Sequence, residues 1–195
     1  MITKIAIEAI VLAAGKGERM GAIKPLIVID GQPILVRVIT TLRAAGIERI
    51  IVVLGYKAAL IEKEVDLFRC IVANNTDYES GMGSSLSLGV SLVSPEATGF
   101  LVVHADMPYV QETTVRKVIA RASAGAKIVA PVCNGVRGFP VYLDSGCREE
   151  LLPTLKGEIG ARVYIAQHEQ DLVLIEVDDP GAIIDIDRPQ DVIGG

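Results

Sequence analysis

The amino-acid sequence predicts an α/β protein of three layers, α/β/α, with a mostly parallel sheet in the middle. Three observations carry this. Short β-type runs alternate with stretches of helical spacing, and a repeated strand–helix–strand order implies crossovers between parallel strands. The strands are continuously apolar, as in IIVVL at 50–54, which a sheet covered on both faces requires. Half of the 195 residues are hydrophobic, enough for one sizeable core, and the expected organisation is a single domain over residues 1–195.

In chain order the strand candidates are KIAIEAIVL (4–12), RIIVVLG (49–55), RCIVAN (69–74), GFLVVHAD (99–106), AKIVAPV (126–132) and DLVLIEV (171–177). Between them lie PILVRVITTLRAAG (33–46), AALIEKEVD (58–66), GSSLSLGVSLV (83–93), ETTVRKVIARASAG (112–125) and ARVYIAQHEQ (161–170). The first is the clearest helix. Ile34, Leu35, Val38, Ile39 and Leu42 recur at helical spacing, and Gly46 follows as a stop signal. After Pro131 the alternation weakens; GVRGFPVYLD and SGCREELLPTLKGEIG predict a strand and helices packed beside the main sheet.

Composition removes several function classes. No apolar run reaches the roughly 18 residues that cross a bilayer, and Glu8 breaks the N-terminal one. A soluble cytoplasmic protein without a membrane partner is expected. A net charge of −5 without a basic stripe argues against a nucleic-acid surface. Cys70, Cys133 and Cys147 form no C-x-x-C pair, so free thiols in a reducing compartment are expected rather than a disulfide or zinc framework.

In such sheets ligands sit at the carboxyl ends of strands, and four groups follow strands here. The first is LAAGKGERMGAIKPL (12–26), where an apolar strand opens into a flexible cationic loop. Ordering that loop costs entropy, and an anion is the natural agent. Gly15, Gly17 and Gly21 fit neither the dinucleotide fingerprint nor the Walker A pattern. The second strand ends in Leu54-Gly55-Tyr56, without the carboxylate that dinucleotide sites use. What remains is a loop whose backbone N–H groups, with Lys16, Arg19 and Lys24, suit phosphate oxygens; the alternative is a surface loop with solvated charges. The second group is Ala105-Asp106-Met107-Pro108, in which Asp106 suits Mg²⁺ beside a polyphosphate or is a turn aspartate before proline. The third is Asp185-Ile186-Asp187-Arg188-Pro189. Residues i and i+2 of an extended segment point the same way, so both carboxylates can face one site; alternatively Asp187 caps a final helix. The fourth is NNTDYESGMGSSLSLG (74–89), where a helix opening at Ser84 or Ser85 can meet an anion or a base edge or carries only capping serines. Of the two histidines, His104 lies in a strand pattern and His168 on a helix, and no G-x-S-x-G elbow surrounds Ser84.

These groups, in this order, resemble the molybdenum cofactor cytidylyltransferase family, relatives of the guanylyltransferase of the same pathway. The resemblance runs from LAAGKGERMG through NNTDYESGMGSSLSLG and HADMP to GVRGFPVYL, KGEIGAR and DIDRPQDV. It implies a Rossmann-like α/β/α nucleotidyltransferase fold and Mg²⁺-dependent transfer of a nucleotide. Carried over by position, Leu12, Ala13, Ala14 and Gly15 meet base and ribose, while Gly17, Arg19 and Lys24 meet the phosphates. Asn74, Gly83, Ser84 and Ser85 add nucleotide contacts. Asp106 holds the metal, with Asp187 or Asp185 as second ligand. The catalytic set implied is Lys24, Arg19 and Asp106. The LAAG form points to CTP, and the acceptor implied is a molybdopterin carrying molybdenum, with a molybdoenzyme or its chaperone as a further partner. Phe139 in RGFP and Glu158 in KGEIGAR depart from the family's usual His and Asp, and both fall on the acceptor side.

The chemistry implied is attack by an anionic acceptor phosphate on the nucleotide α-phosphorus with pyrophosphate leaving. Such a reaction needs alignment and cations more than a general base. Three other readings stand beside it: a same-fold transferase using GTP or another phosphorylated acceptor, a nucleotide-binding regulator without turnover, and an NAD-dependent oxidoreductase.

Overall fold

The computed structural model describes residues 6–17, 20–67 and 69–191. Among these the order is β1 (Ile7–Ala13), β2 (Val28–Ile29), β3 (Gln32–Pro33), α1 (Ile34–Ala44), β4 (Ile50–Leu54), α2 (Ala58–Glu64), β5 (Cys70–Asn74), α3 (Met82–Ser91), β6 (Gly99–His104), α4 (Glu112–Ser123), β7 (Ile128–Cys133), β8 (Val136–Arg137), β9 (Val141–Asp144), α5 (Arg148–Leu151), α6 (Arg162–Gln167) and β10 (Leu172–Glu176). Every predicted strand and helix is present. The main sheet runs β10-β7-β9-β6-β1-β4-β5, with β8 on β7, and β2–β3 form a separate ribbon. Pairing is parallel between β1 and both β4 and β6, between β4 and β5, and between β10 and β7.

Side-chain alternation along the strands divides the core into two layers. Ala9, Val11 and Ala13 of β1 pack with Ile50, Val52 and Leu54 of β4 against Leu35, Val38 and Leu42 of α1 and Val115 and Val118 of α4. Ile10 and Leu12, with Ile51 and Val53, face the other way, toward Leu86 and Val90 of α3 and Tyr164 and Ile165 of α6. Both faces of the central strands are thus covered, which is why they read as continuous apolar runs.

One expectation needs correction. The strand in GVRGFPVYLD does not pack beside the sheet; β9 enters it between β6 and β7, antiparallel to both. Val141, Tyr142 and Leu143 are at most 5% exposed. The route is a hairpin turn, since Asn134 and Gly135 both have positive φ, 51° and 75°, as a type I′ turn demands. β9 fills the gap between β6 and β7 and pairs with the facing edges of both.

The three thiols are free, with Cys133 and Cys147 buried. Burial, then the Asp144 carboxylate, pushes Cys147 up to about 12, so it stays protonated and inert. No helix among the described residues is long and apolar enough to cross a membrane.

Gly89 shows how closely α3 lies on the sheet, because a Cβ there would stand 2.4 Å from Ile10 Cγ2. Gly89→Ala should destabilise the protein by about 1–3 kcal/mol through overpacking, although alanine is favoured over glycine in helices by about 1 kcal/mol. A lower urea midpoint at unchanged slope is the expected result. A higher midpoint would show that α3 lifts off β1 without cost.

Candidate active site

The strand order reverses at β1, which has β4 on one side and the later β6 on the other. Ligands in open α/β sheets bind outside the carboxyl ends of strands at such a switch. The glycine loop leaves β1 there, and Asp106 follows β6. Gly17 has φ +60°, and a Cβ on it would lie 2.9 Å from Lys24 Cγ. Glycine is therefore needed both for the left-handed turn and to let the Lys24 stem pass. Lys24 opens a single 3₁₀ turn, Lys24–Leu26, anchored by buried Pro25.

The Lys24 ammonium donates to Asp106 Oδ2 at 2.9 Å and to Asp187 Oδ1 at 2.6 Å. Asp185 joins them, since oxygens of Asp106, Asp185 and Asp187 lie within 4.8 Å of one another. The expectation that residues 185 and 187 face one site is met. Burial opposes the Lys24 charge, but attraction and hydrogen bonds from Asp106 and Asp187 outweigh it and raise its pKa above the ordinary 10.5. The N–H groups of Asp187 and Arg188 donate to Asp191 Oδ2 at 3.0 and 2.7 Å.

Neither Asp185 nor Asp187 lies on a strand or helix, so tertiary anchors set their position. Asp179, 1% exposed, accepts from Gln111 N–H at 2.9 Å, the Thr114 hydroxyl at 2.6 Å and Gly181 N–H at 3.0 Å. A Cβ on Gly181 would lie 2.0 Å from Tyr109 O. Phe139 N–H donates to Ala182 O and Ile186 N–H to Asp106 O, each at 2.8 Å. This segment is thereby tied to the loops after both β6 and β8.

A cavity of about 460 Å³ opens beside the carboxylates, lined by Met82 and Leu86 of α3, His104, Asp106, Arg137, Phe139, Glu158, Arg162, Asp185 and Asp187 among others. Phe139 and Glu158, the two departures from the family pattern, both face it. His104 makes an edge contact with Phe139, ring centres 4.3 Å apart, and burial holds its pKa below the usual histidine value despite nearby Asp106. Sequence reasoning passed over His104, Arg137 and Arg162 as site residues, although all three lie inside the quoted motifs.

The predicted nucleotide residues lie outside this cavity. Leu12, Ala13 and Ala14 have buried side chains, leaving only backbone for a ligand, and Ala14 O already accepts from Tyr56 N–H at 3.0 Å. Gly15 is exposed. Lys16 pairs with Glu79 at 2.6 Å. Arg19 lies outside the described residues. Asn74 donates to Glu62 at 3.1 Å on the surface, whereas its neighbour Asn75 is buried and donates to the Ser84 and Ser85 hydroxyls at 2.8 and 2.9 Å. Those serines brace the loop before α3, which begins at Met82, earlier than expected. Gly83 is closely backed by the Leu155–Lys156 backbone, 2.7 Å from a Cβ, so its smallness serves packing there.

A lysine and carboxylates gathered at the switch point of such a sheet suit a protein that handles nucleotide phosphates, and comparison with known proteins agrees. Residues 9–172 match the MobA-like NTP transferase domain, a nucleotidyltransferase family, and the chain belongs to it. It is 28% identical over 189 residues to nicotine blue oxidoreductase of Paenarthrobacter nicotinovorans, covering 93% of this chain and 92% of that one. It is also 28% identical over 200 residues to purine catabolism protein PucB of Bacillus subtilis strain 168, covering 92% and 91%. Among solved structures, Rv0371c of Mycobacterium tuberculosis H37Rv superposes with a TM-score of 0.79 at 25% identity over 95% of this chain and 94% of that one. A manganese complex of Rv0371c superposes with a TM-score of 0.73 at 24% identity over 88% and 87%.

Two predictions follow from the anchoring. While the carboxylates are ionised, the Lys24 ion pairs stabilise the fold fully up to about pH 10.5 and lose that effect as pH rises through the raised value. Thermal melts in a chelating buffer should therefore show Lys24→Ala less stable than the native protein at pH 7, by about 1–3 kcal/mol, with the gap closing only at strongly alkaline pH. Equal stabilities at pH 7 would contradict the pairing. Asp179→Ala should cost at least about 2 kcal/mol, since it leaves buried donors on Thr114, Gln111 and Gly181 without their acceptor. A chemical-denaturation loss below about 0.5 kcal/mol would show that water replaces it.

Proposed function

We propose that the chain is a single nucleotidyltransferase domain that transfers CMP from CTP to a phosphorylated acceptor, most consistent with molybdenum-bearing molybdopterin, and releases pyrophosphate. The observation that carries this is the Lys24–Asp106–Asp187 cluster at the switch point, next to a cavity large enough for an acceptor.

The donor set fits a divalent cation. Three carboxylates converge within 4.8 Å, the hard oxygen ligands that Mg²⁺ takes alongside phosphate oxygens. Asp106 with Asp187 or Asp185 would hold it, and when bound it offsets charge on the phosphate oxygens. The manganese complex of Rv0371c is in keeping with such a site. Lys24 is already a cation at those carboxylates. With nucleotide and metal bound, its ammonium would serve the α-phosphate, where charge shifts most during transfer. Lys16 and Arg19, on the glycine loop, follow the β- and γ-phosphates. The acceptor's reacting oxygen is already anionic, so no side chain removes a proton. His104, with its lowered pKa and its ring against Phe139, serves as a neutral wall of the acceptor cavity.

The name of the Paenarthrobacter relative favours a second reading, an NAD-dependent oxidoreductase. Against it, β4 ends in Leu54-Gly55-Tyr56, without the carboxylate that dinucleotide sites place on ribose. One experiment separates the two. Pyrophosphate release is followed with each of the four ribonucleoside triphosphates, Mg²⁺ and molybdopterin, beside NADH oxidation with the same acceptor. Release with CTP and no oxidation is expected. Preferential release with GTP would overturn the base assignment, and oxidation without release would overturn the reaction. Asp106→Asn should remain folded and lose about 10²-fold or more in turnover, the scale of a single electrostatic contact in a reaction of this kind. Near-native turnover at saturating nucleotide and metal would contradict the metal assignment.

A further inference from the structure

The cavity beside the carboxylates also has cationic walls. Arg137 closes β8 and Arg162 opens α6; both line the cavity and both are exposed. Among the described residues, neither guanidinium has a hydrogen-bond or ion-pair partner. An arginine keeps its charge throughout the physiological range, so two of them on one cavity repel each other and attract anions. The chain as a whole carries −5, which makes this positive excess a local feature. The one further acid on the wall outside the aspartate cluster, Glu158, is directed elsewhere, since its Oε2 accepts from Met82 N–H at 3.4 Å at the start of α3. Apolar surface from Phe139, Ile159 and Ile165 completes the lining.

We infer that Arg137 and Arg162 form an anion subsite for the acceptor, separate from the group that reacts at the Lys24 cluster. The ligand class is an organic anion with a flat or apolar body and an anionic group, phosphate or carboxylate, that a guanidinium fork can grip in bidentate fashion. Calling that ligand an acceptor rests on the proposed transfer reaction; the subsite itself rests only on the cavity. Its role is electrostatic. Asp106, Asp185 and Asp187 repel an approaching anion from their end of the cavity until a cation neutralises them. The arginines hold the molecule by its anionic group, and the apolar walls take its ring system.

Binding without nucleotide or divalent cation tests this directly. The probes are 1-naphthyl phosphate and neutral 1-naphthol, followed by fluorescence titration against the native chain, Arg137→Gln, Arg162→Gln and the double variant. The native chain should bind the phosphate about tenfold or more tighter than the naphthol, a difference of about 1.4 kcal/mol or more. The double variant should lose that preference while binding the naphthol as before. Its Mg²⁺–CTP affinity should stay within about twofold of native, which shows an intact fold, because both substitutions lie at exposed positions. A native chain that binds both probes alike, or a double variant that keeps the preference, overturns the subsite. If the preference is present and arginine-dependent but no nucleotide is transferred to any acceptor, the reaction falls and the subsite stands.

Discussion

The Lys24 ammonium between Asp106 and Asp187 is the interaction on which the site depends. Two like charges about 4 Å apart repel by about 4 kcal/mol at an effective dielectric of about 20, and here three carboxylates fall within 4.8 Å of one another. A cation among them lets the loop after β1, the end of β6 and the C-terminal segment converge. Those segments are distant in sequence, and the lysine acts as their common counter-ion. Its pKa is raised for the same reason, so it stays charged well above neutral pH. In the proposed reaction a divalent cation would take over the carboxylates and leave the lysine for phosphate.

The rest of the architecture holds that cluster in register. β1 and β6 are buried on both faces and paired along their length, so their carboxyl ends are rigid supports. The C-terminal segment has no such support from secondary structure. Buried Asp179 supplies it, together with the close approach of Gly181 to Tyr109 and the Ile186–Asp106 backbone bond. Position by tertiary anchoring explains how Asp185 and Asp187 face the site from a stretch that is neither strand nor helix. The cavity then uses what the late chain adds, with Arg137 and Phe139 from the β8–β9 region and Arg162 from α6.

Much of this was legible in the sequence because period and position carry it. IIVVL and GFLVVH read as buried strands because both faces are covered, and Asp106 stood out by following one of them. The convergence of Asp185 and Asp187 came from the two-residue repeat of extended chain. The insertion of β9 was missed, although Asn134-Gly135 between β-type residues is a strong hairpin signal; what the signal does not carry is which strands the returning chain separates. Asn74 and Asn75 are adjacent and chemically identical, so only the burial of Asn75 distinguishes the residue that braces α3 from the one on the surface. His104 and the two arginines were invisible as site residues because their role depends on a cavity formed by segments far apart in the chain. Arg19 lies outside the described residues, and its role rests on the family resemblance.

The most direct test of the counter-ion account is the single-turnover rate of nucleotide transfer by Lys24→Ala beside its nucleotide Kd, both at saturating Mg²⁺. If Lys24 leaves the carboxylates to meet charge developing at the α-phosphate, the rate should fall by about 10²-fold or more while Kd changes by much less. A variant that binds nucleotide more weakly but transfers it at the native rate would contradict the account, because Lys24 would then serve only the ground state.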